Sequence, residues 1–151
     1  MPLANHNNQR TIEKPSSCTG VGLHTGVEST ITFKPAPENY GIRFKRTDIK
    51  GSPVIKADID HVVDISRGTT IEQKGVRIHT VEHTLAAVSG LRIDNILIEL
   101  TSKETPVMDG SAKDFVEALQ SSGQITQDAE RKVLTIGKAV TYSDPVKEID
   151  I

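Results

Sequence analysis

The sequence predicts an α+β fold, a two-layer sandwich of mainly antiparallel sheet with two helices on one face. Alternating, β-branched runs lie before, between and after only two segments of helical periodicity, near residues 80–90 and 112–122. No strand–helix alternation recurs often enough for a doubly wound parallel sheet. With 36% hydrophobic residues among 151, the chain can bury one core.

In chain order, residues 1–8 are polar and read as a disordered or tag-like lead, and residues 9–14 as a short strand. Residues 18–26 (CTGVGLHTG) carry three glycines in seven positions and predict a tight turn with close backbone approach. Residues 28–34 alternate and stop at Pro35-Ala36-Pro37. Residues 41–46 alternate again, as the second strand of a hairpin through Glu38-Asn39. Arg43, Lys45 and Arg46 then form the solvated face of that strand. Turn residues Gly51-Ser52-Pro53 precede short β-like runs at 54–57 and 61–63. Residues 69–72 and 76–78 form a hairpin about Lys74-Gly75.

The first helix has Thr80 as N-cap, Val81, Leu85 and Val88 as its apolar stripe, and Gly90 just past its end. Residues 93–100 are the strongest strand signal. A loop from Glu104 leads to a second helix over 112–122, capped by Asp109 or Ser111 and stopped by Gly123, with Ala112, Phe115, Val116 and Leu119 on one face. Residues 131–142 read as a long strand with a bulge at Gly137, and 145–151 as the opening of one more, so the chain reads as a piece of a longer protein.

Eighteen Lys+Arg against 20 Asp+Glu leave a net charge of −2, which gives no electrostatic footprint for nucleic acid or an anionic membrane. Tryptophan is absent and aromatics are 3%, so base-stacking platforms are not expected. Cys18 stands alone, without a disulfide framework, and the first residues lack the apolar core of a signal peptide. No run has the length of a membrane span. These features predict a cytoplasmic protein.

The chemistry concentrates at His79-Thr80-Val81-Glu82-His83. Glu82 and His83 fall in a first helical turn, where unpaired N–H groups and the helix dipole favour negative over positive charge. Three readings are open. In the first, Glu82 is a general base and His83 a metal ligand. In the second, the H-x-x-E-H spacing makes His79 and His83 a two-histidine zinc site, which requires the helix to include His79. In the third, Glu82 and His83 are structural and the chain is a non-enzymatic binding or assembly module.

Four segments occur in one order: Gly20-Val-Gly-Leu-His-Thr-Gly26, Thr80-Val-Glu-His83, Gly90-Leu-Arg-Ile-Asp-Asn95 and Pro106-Val-Met-Asp-Gly-Ser-Ala112. Together they resemble the N-terminal half of the zinc-dependent UDP-3-O-acyl-N-acetylglucosamine deacetylases, which catalyse the committed step of lipid A synthesis. The resemblance implies two similar β-α-α-β domains with the active site at their junction. Residues 9–128 would be the first domain, and 129–151 a linker and the opening strands of the second. It implies Glu82 as general base and His83 as first zinc ligand, with Leu23, His24, Ser66 and Arg67 bordering the substrate channel. The remaining ligands, a His and an Asp four residues apart, and a histidine general acid would lie in the second domain. The resemblance thus implies Zn²⁺ as cofactor, the UDP-acylated amino sugar as substrate, and little or no activity for this piece alone.

Overall fold

The computed structural model describes residues 7–151; the lead expected over residues 1–8 therefore lies mostly outside the described residues. The strands are β1 (Asn8–Ile12), β2 (Ser16–Val21), β3 (Glu28–Pro35), β4 (Ile42–Arg46), β5 (Val54–Lys56), β6 (Val62–Asp64), β7 (Thr70–Gln73) and β8 (Val76–Ile78). Helix α1 (Glu82–Gly90), strand β9 (Ile96–Leu100), helix α2 (Lys113–Ser121) and strands β10 (Gln124–Glu130), β11 (Ser143–Asp144) and β12 (Ile149–Asp150) follow. The expected α+β class is what forms, with the strands divided among several sheets rather than one.

The main sheet has the order β2-β3-β9-β4-β5. Its pairs are antiparallel except β4 with β9, which is parallel. The register sets Ile31 opposite Leu100 and Phe33 opposite Ile98, with Phe44 on the other side of Ile98. Every second residue of β3, β4 and β9 therefore enters the core, as the period of two requires. Helix α2 covers this face through Phe115 and Leu119. The Phe33 and Phe115 rings meet edge to face at 6.4 Å between centroids. Helix α1 packs beside α2 and adds Ala87 and Val88 to the same core. The opposite face is polar: Thr19 and Thr30 share a hydrogen bond, and Glu99 lies between Lys34 and Lys45 at 2.6 and 3.0 Å.

Several local expectations are corrected. The stretch from Cys18 to Val21 belongs to β2, and only residues 22–26 form the turn. Cross-strand hydroxyl pairs hold β2 on β3, and Gly20 lets Met108 pack close, since a Cβ there would meet its Sδ at 2.8 Å. Strands β3 and β4 do not form a hairpin, because β9 inserts between them. Arg46 is not on the solvated face. It shares the core face with Phe44, nearly buried, its guanidinium bidentate on Asp48 and donating to the Arg77 carbonyl at 2.8 Å.

Helix α1 continues through Gly90, and it is Arg92 that takes the left-handed conformation beyond it, at φ 56°. Ser111 does support α2, its Oγ accepting the Lys113 N–H at 3.1 Å while Asp109 accepts from Ser111. Strand β9 begins three residues later than expected, since Asp94 accepts the N–H of Arg10 in β1 and Asn95 accepts the N–H of Gly41. Residues 131–142 form no strand and no bulge at Gly137: only Arg131 and Tyr142, at the two ends, make backbone hydrogen bonds among the described residues, to Asn7 and Ile151, and Val133, Leu134, Ile136 and Val140 are exposed. Residues 145–148 are the turn of the β11–β12 hairpin rather than an opening strand.

The β6-β7-β8 sheet feeds the chain into α1. Its β7–β8 turn has Lys74 at φ 52° and Gly75 at φ 78°, the left-handed pair that suits a two-residue hairpin.

Candidate active site

After β8, His79 forms an isolated parallel bridge with Glu104, donating its N–H to the Lys103 carbonyl at 2.9 Å. It lies outside α1, so the one-turn spacing on which the two-histidine site depends is not realised. Thr80 is not a cap. Its backbone is left-handed at φ 62°, and its hydroxyl donates to Glu104 at 2.8 Å instead of accepting from the helix. The helix starts from Val81, whose carbonyl accepts the Leu85 N–H at 2.9 Å. Glu82 and His83 accordingly occupy the first turn, both half-buried.

The Glu82 carboxylate is held under the preceding loop, where its Oε2 accepts the Thr69 N–H at 2.9 Å. Gly68 permits that approach: a Cβ there would lie 2.9 Å from Glu82 Oε1, and its φ of 145° suits glycine. Of the histidines described, His24, His61 and His79 each hydrogen-bond through a ring nitrogen, whereas His83 does not. Among the described residues no three His, Cys, Asp or Glu side chains converge on a point that could hold a metal ion.

Of the other expected site residues, Ser66 and Arg67 lie on the loop that touches Glu82, and His24 bonds to that loop. His24 Nε2 donates to the Arg67 carbonyl at 3.0 Å, joining the glycine-rich turn to the 66–69 loop. Ser66 and Arg67 sit at the rim of a cleft of about 180 Å³ whose walls include His24, Asp64, His79 and Lys103. Leu23 is 58% exposed beside this turn and does not line the cleft. Glu82 touches the same 66–69 loop from below, so the carboxylate, the loop and the glycine-rich turn are contiguous.

Glu104 is the residue that sequence reading missed. It is fully buried, yet its carboxylate accepts the N–H groups of His24 and Thr25 and the hydroxyl of Thr80. Burial alone would raise its pKa; the bonds from Thr25, His24 and Thr80 outweigh this and hold it below the ordinary carboxylate value. His79 is shifted down by burial, against the opposing pull of Glu104 and with Lys103, Arg77 and Arg46 reinforcing the shift. The only advance signal for Glu104 was an acidic residue four positions after the end of a strongly apolar strand.

Fold and site together define a class: an α+β domain presenting a carboxylate and an imidazole, adjacent in sequence, at the amino end of a short helix, under a loop that also lines a cleft. The chain belongs to the LpxC family, UDP-3-O-acyl N-acetylglycosamine deacetylase, whose family model matches residues 9–151. It is 54% identical over 143 residues to a bifunctional LpxC/FabZ enzyme of Chlorobaculum tepidum, a match covering 95% of this chain and 31% of that protein. It is 46% identical to a UDP-3-O-acyl-N-acetylglucosamine deacetylase of Myxococcus xanthus, covering 95% and 46%. A deacetylase of the same name from Saccharophagus degradans is also 46% identical, covering 90% and 45%. The chain thus spans between about a third and a half of the length of these relatives. No helix of the described residues is long and apolar enough to cross a membrane.

Proposed function

We propose that this chain supplies the Glu82–His83 part of the active site of a UDP-3-O-acyl-N-acetylglucosamine deacetylase, acting in the cytoplasm at the committed step of lipid A synthesis. The observation that carries the proposal is the half-buried Glu82–His83 pair at the start of α1, contiguous with the 66–69 loop and the His24 turn, in a chain matching this family over residues 9–151. Glu82, held by Thr69 N–H, takes the proton from water as that water adds to the acetamide carbonyl. The C–N bond then breaks as the departing nitrogen takes a proton from a general acid, releasing acetate and leaving a free amine on the sugar. His24, Ser66 and Arg67, with the exposed Leu23, border the path of the UDP-acyl-sugar.

A zinc ion, when bound, would polarise the carbonyl and lower the pKa of the attacking water. His83 fits such an ion as one ligand, since its residue is half-buried and its ring has no hydrogen-bond partner among the described residues, and no group of three candidate ligands converges among those residues. The other ligands, and the general acid, are assigned to a second domain. Residues 9–128 are assigned to the first domain, and 129–151 to the linker and opening strands of the second. The exposed Val133, Leu134, Ile136 and Val140 support this, because apolar surface of that kind is ordinarily covered.

The test is acetate release by the complete protein. Glu82→Ala is expected to lower turnover by roughly 10²-fold or more. His83→Ala is expected to lower zinc content, and His79→Ala to leave it unchanged. Undiminished turnover in Glu82→Ala would favour the non-enzymatic reading, and the 151-residue chain alone is expected to show none.

A further inference from the structure

A β-branched residue seldom adopts positive φ, yet Thr80 does so at 62°, two residues ahead of Glu82. Such strain persists only where the surroundings over-determine it. Three hydrogen bonds do so here. The Thr80 hydroxyl donates to Glu104 Oε1 at 2.8 Å, the Thr105 hydroxyl donates to the Thr80 carbonyl at 2.5 Å, and Val81 N–H donates to the Thr69 carbonyl at 3.2 Å. The same Glu104 carboxylate accepts His24 N–H at 3.0 Å and Thr25 N–H at 2.8 Å, on the glycine-rich turn. Gly22 lies against it too, for a Cβ there would sit 2.5 Å from Glu104 Oε2. A fully buried carboxylate is costly when any of its donors is lost, so a change on one side of this arrangement bears on the other.

We infer that Glu104 is a positioning residue, coupling the substrate-bordering His24 turn to the strained Thr80 backbone that aims Glu82 and His83, so that both sides of the site shift together. The inference rests on the reading of Glu82 and His83 given above.

Amide hydrogen exchange tests the coupling in both directions. Thr80→Val removes the hydroxyl, and its side chain makes no bond to the His24 turn. It is expected to speed exchange at the His24 and Thr25 amides by roughly tenfold or more. Gly22→Ala forces the Glu104 carboxylate aside from the other end and is expected to speed exchange at Thr69 and Val81. Changes confined to the substituted side would overturn the coupling. Protection across β9 reports whether a variant keeps its fold; should Thr80→Val lose it, Gly22→Ala decides alone. In the complete protein, Gly22→Ala is expected to lower kcat at least as much as it raises KM, and a change in KM alone would overturn the positioning role. Absence of turnover in the unsubstituted complete protein would overturn the reading of the site and leave the exchange result standing.

Discussion

Gly68→Ala tests how the Glu82 carboxylate is seated. Two costs arise. An alanine held at the φ of 145° found here is strained by about 1–3 kcal/mol. The added Cβ would also lie 2.9 Å from Glu82 Oε1. That contact is the cheaper of the two, because the carboxylate ends a flexible chain and can swing aside. In doing so it forfeits the bond from Thr69 N–H, which at a half-exposed site is worth about 1 kcal/mol. The sum is about 2–4 kcal/mol, or a Tm lowered by roughly 2–4 °C for each kcal/mol in a chain of this size. Urea unfolding of the four proteins in a Gly68→Ala, Glu82→Ala cycle separates the parts. Backbone strain persists in both backgrounds, whereas the part due to the carboxylate vanishes with Glu82, giving a coupling of about 1 kcal/mol. A cost below about 0.5 kcal/mol, or an identical cost in both backgrounds, would refute the account of Gly68 as the seat of Glu82.

Two further outcomes follow from shifted titrations. His79 lies below its ordinary 6.5 through burial, and Glu104 below its ordinary 4.5 through its hydrogen bonds. For both, the unfolded chain takes up a proton before the folded one, so stability is full above the ordinary value and is lost as pH falls towards the folded one. The urea midpoint is expected to drop in two stages, the first starting near pH 6.5 and absent in His79→Gln, the second below pH 4.5, where Asp48, Glu99 and other paired carboxylates contribute. A first stage that persists in His79→Gln would refute its assignment. Cys18 is pushed up to about 11, first by burial and then by the charge of Asp114. Its alkylation at pH 8 should be about 100-fold slower than that of the unfolded chain, and equal rates would contradict the burial of the thiol.

Patterns confined to neighbouring residues were legible in the sequence. The alternation over 28–34, the Lys74-Gly75 hairpin and the Phe115/Leu119 face of α2 all form as expected. So does the placement of Glu82 and His83 in a first helical turn, which needs only the spacing of the following apolar residues. What failed depends on partners distant in the chain. Alternation tells which face a residue takes but not which strand lies beside it, so the insertion of β9 between β3 and β4 was invisible. At Arg46 the period of two placed the side chain inside with Phe44; its charge argued for solvent, and Asp48 made burial tolerable. Thr80 has the composition of a cap, but its hydroxyl partner lies 24 residues further on. Residues 131–142 have strand propensity and no strand to pair with among those described, and propensity without a partner makes no sheet.

The central position of β9 has a consequence for synthesis. As the chain leaves the ribosome, the β2–β3 and β4–β5 pairs each have an adjacent partner, but they cannot join until Ile96–Leu100 emerges between them. Until then the apolar undersides around Phe33 and Phe44 stand open, since Phe115, which closes them, is made later still. The nascent chain up to about residue 95 is therefore the stage at which aggregation competes with folding, and the stage at which a holding chaperone would have most to cover.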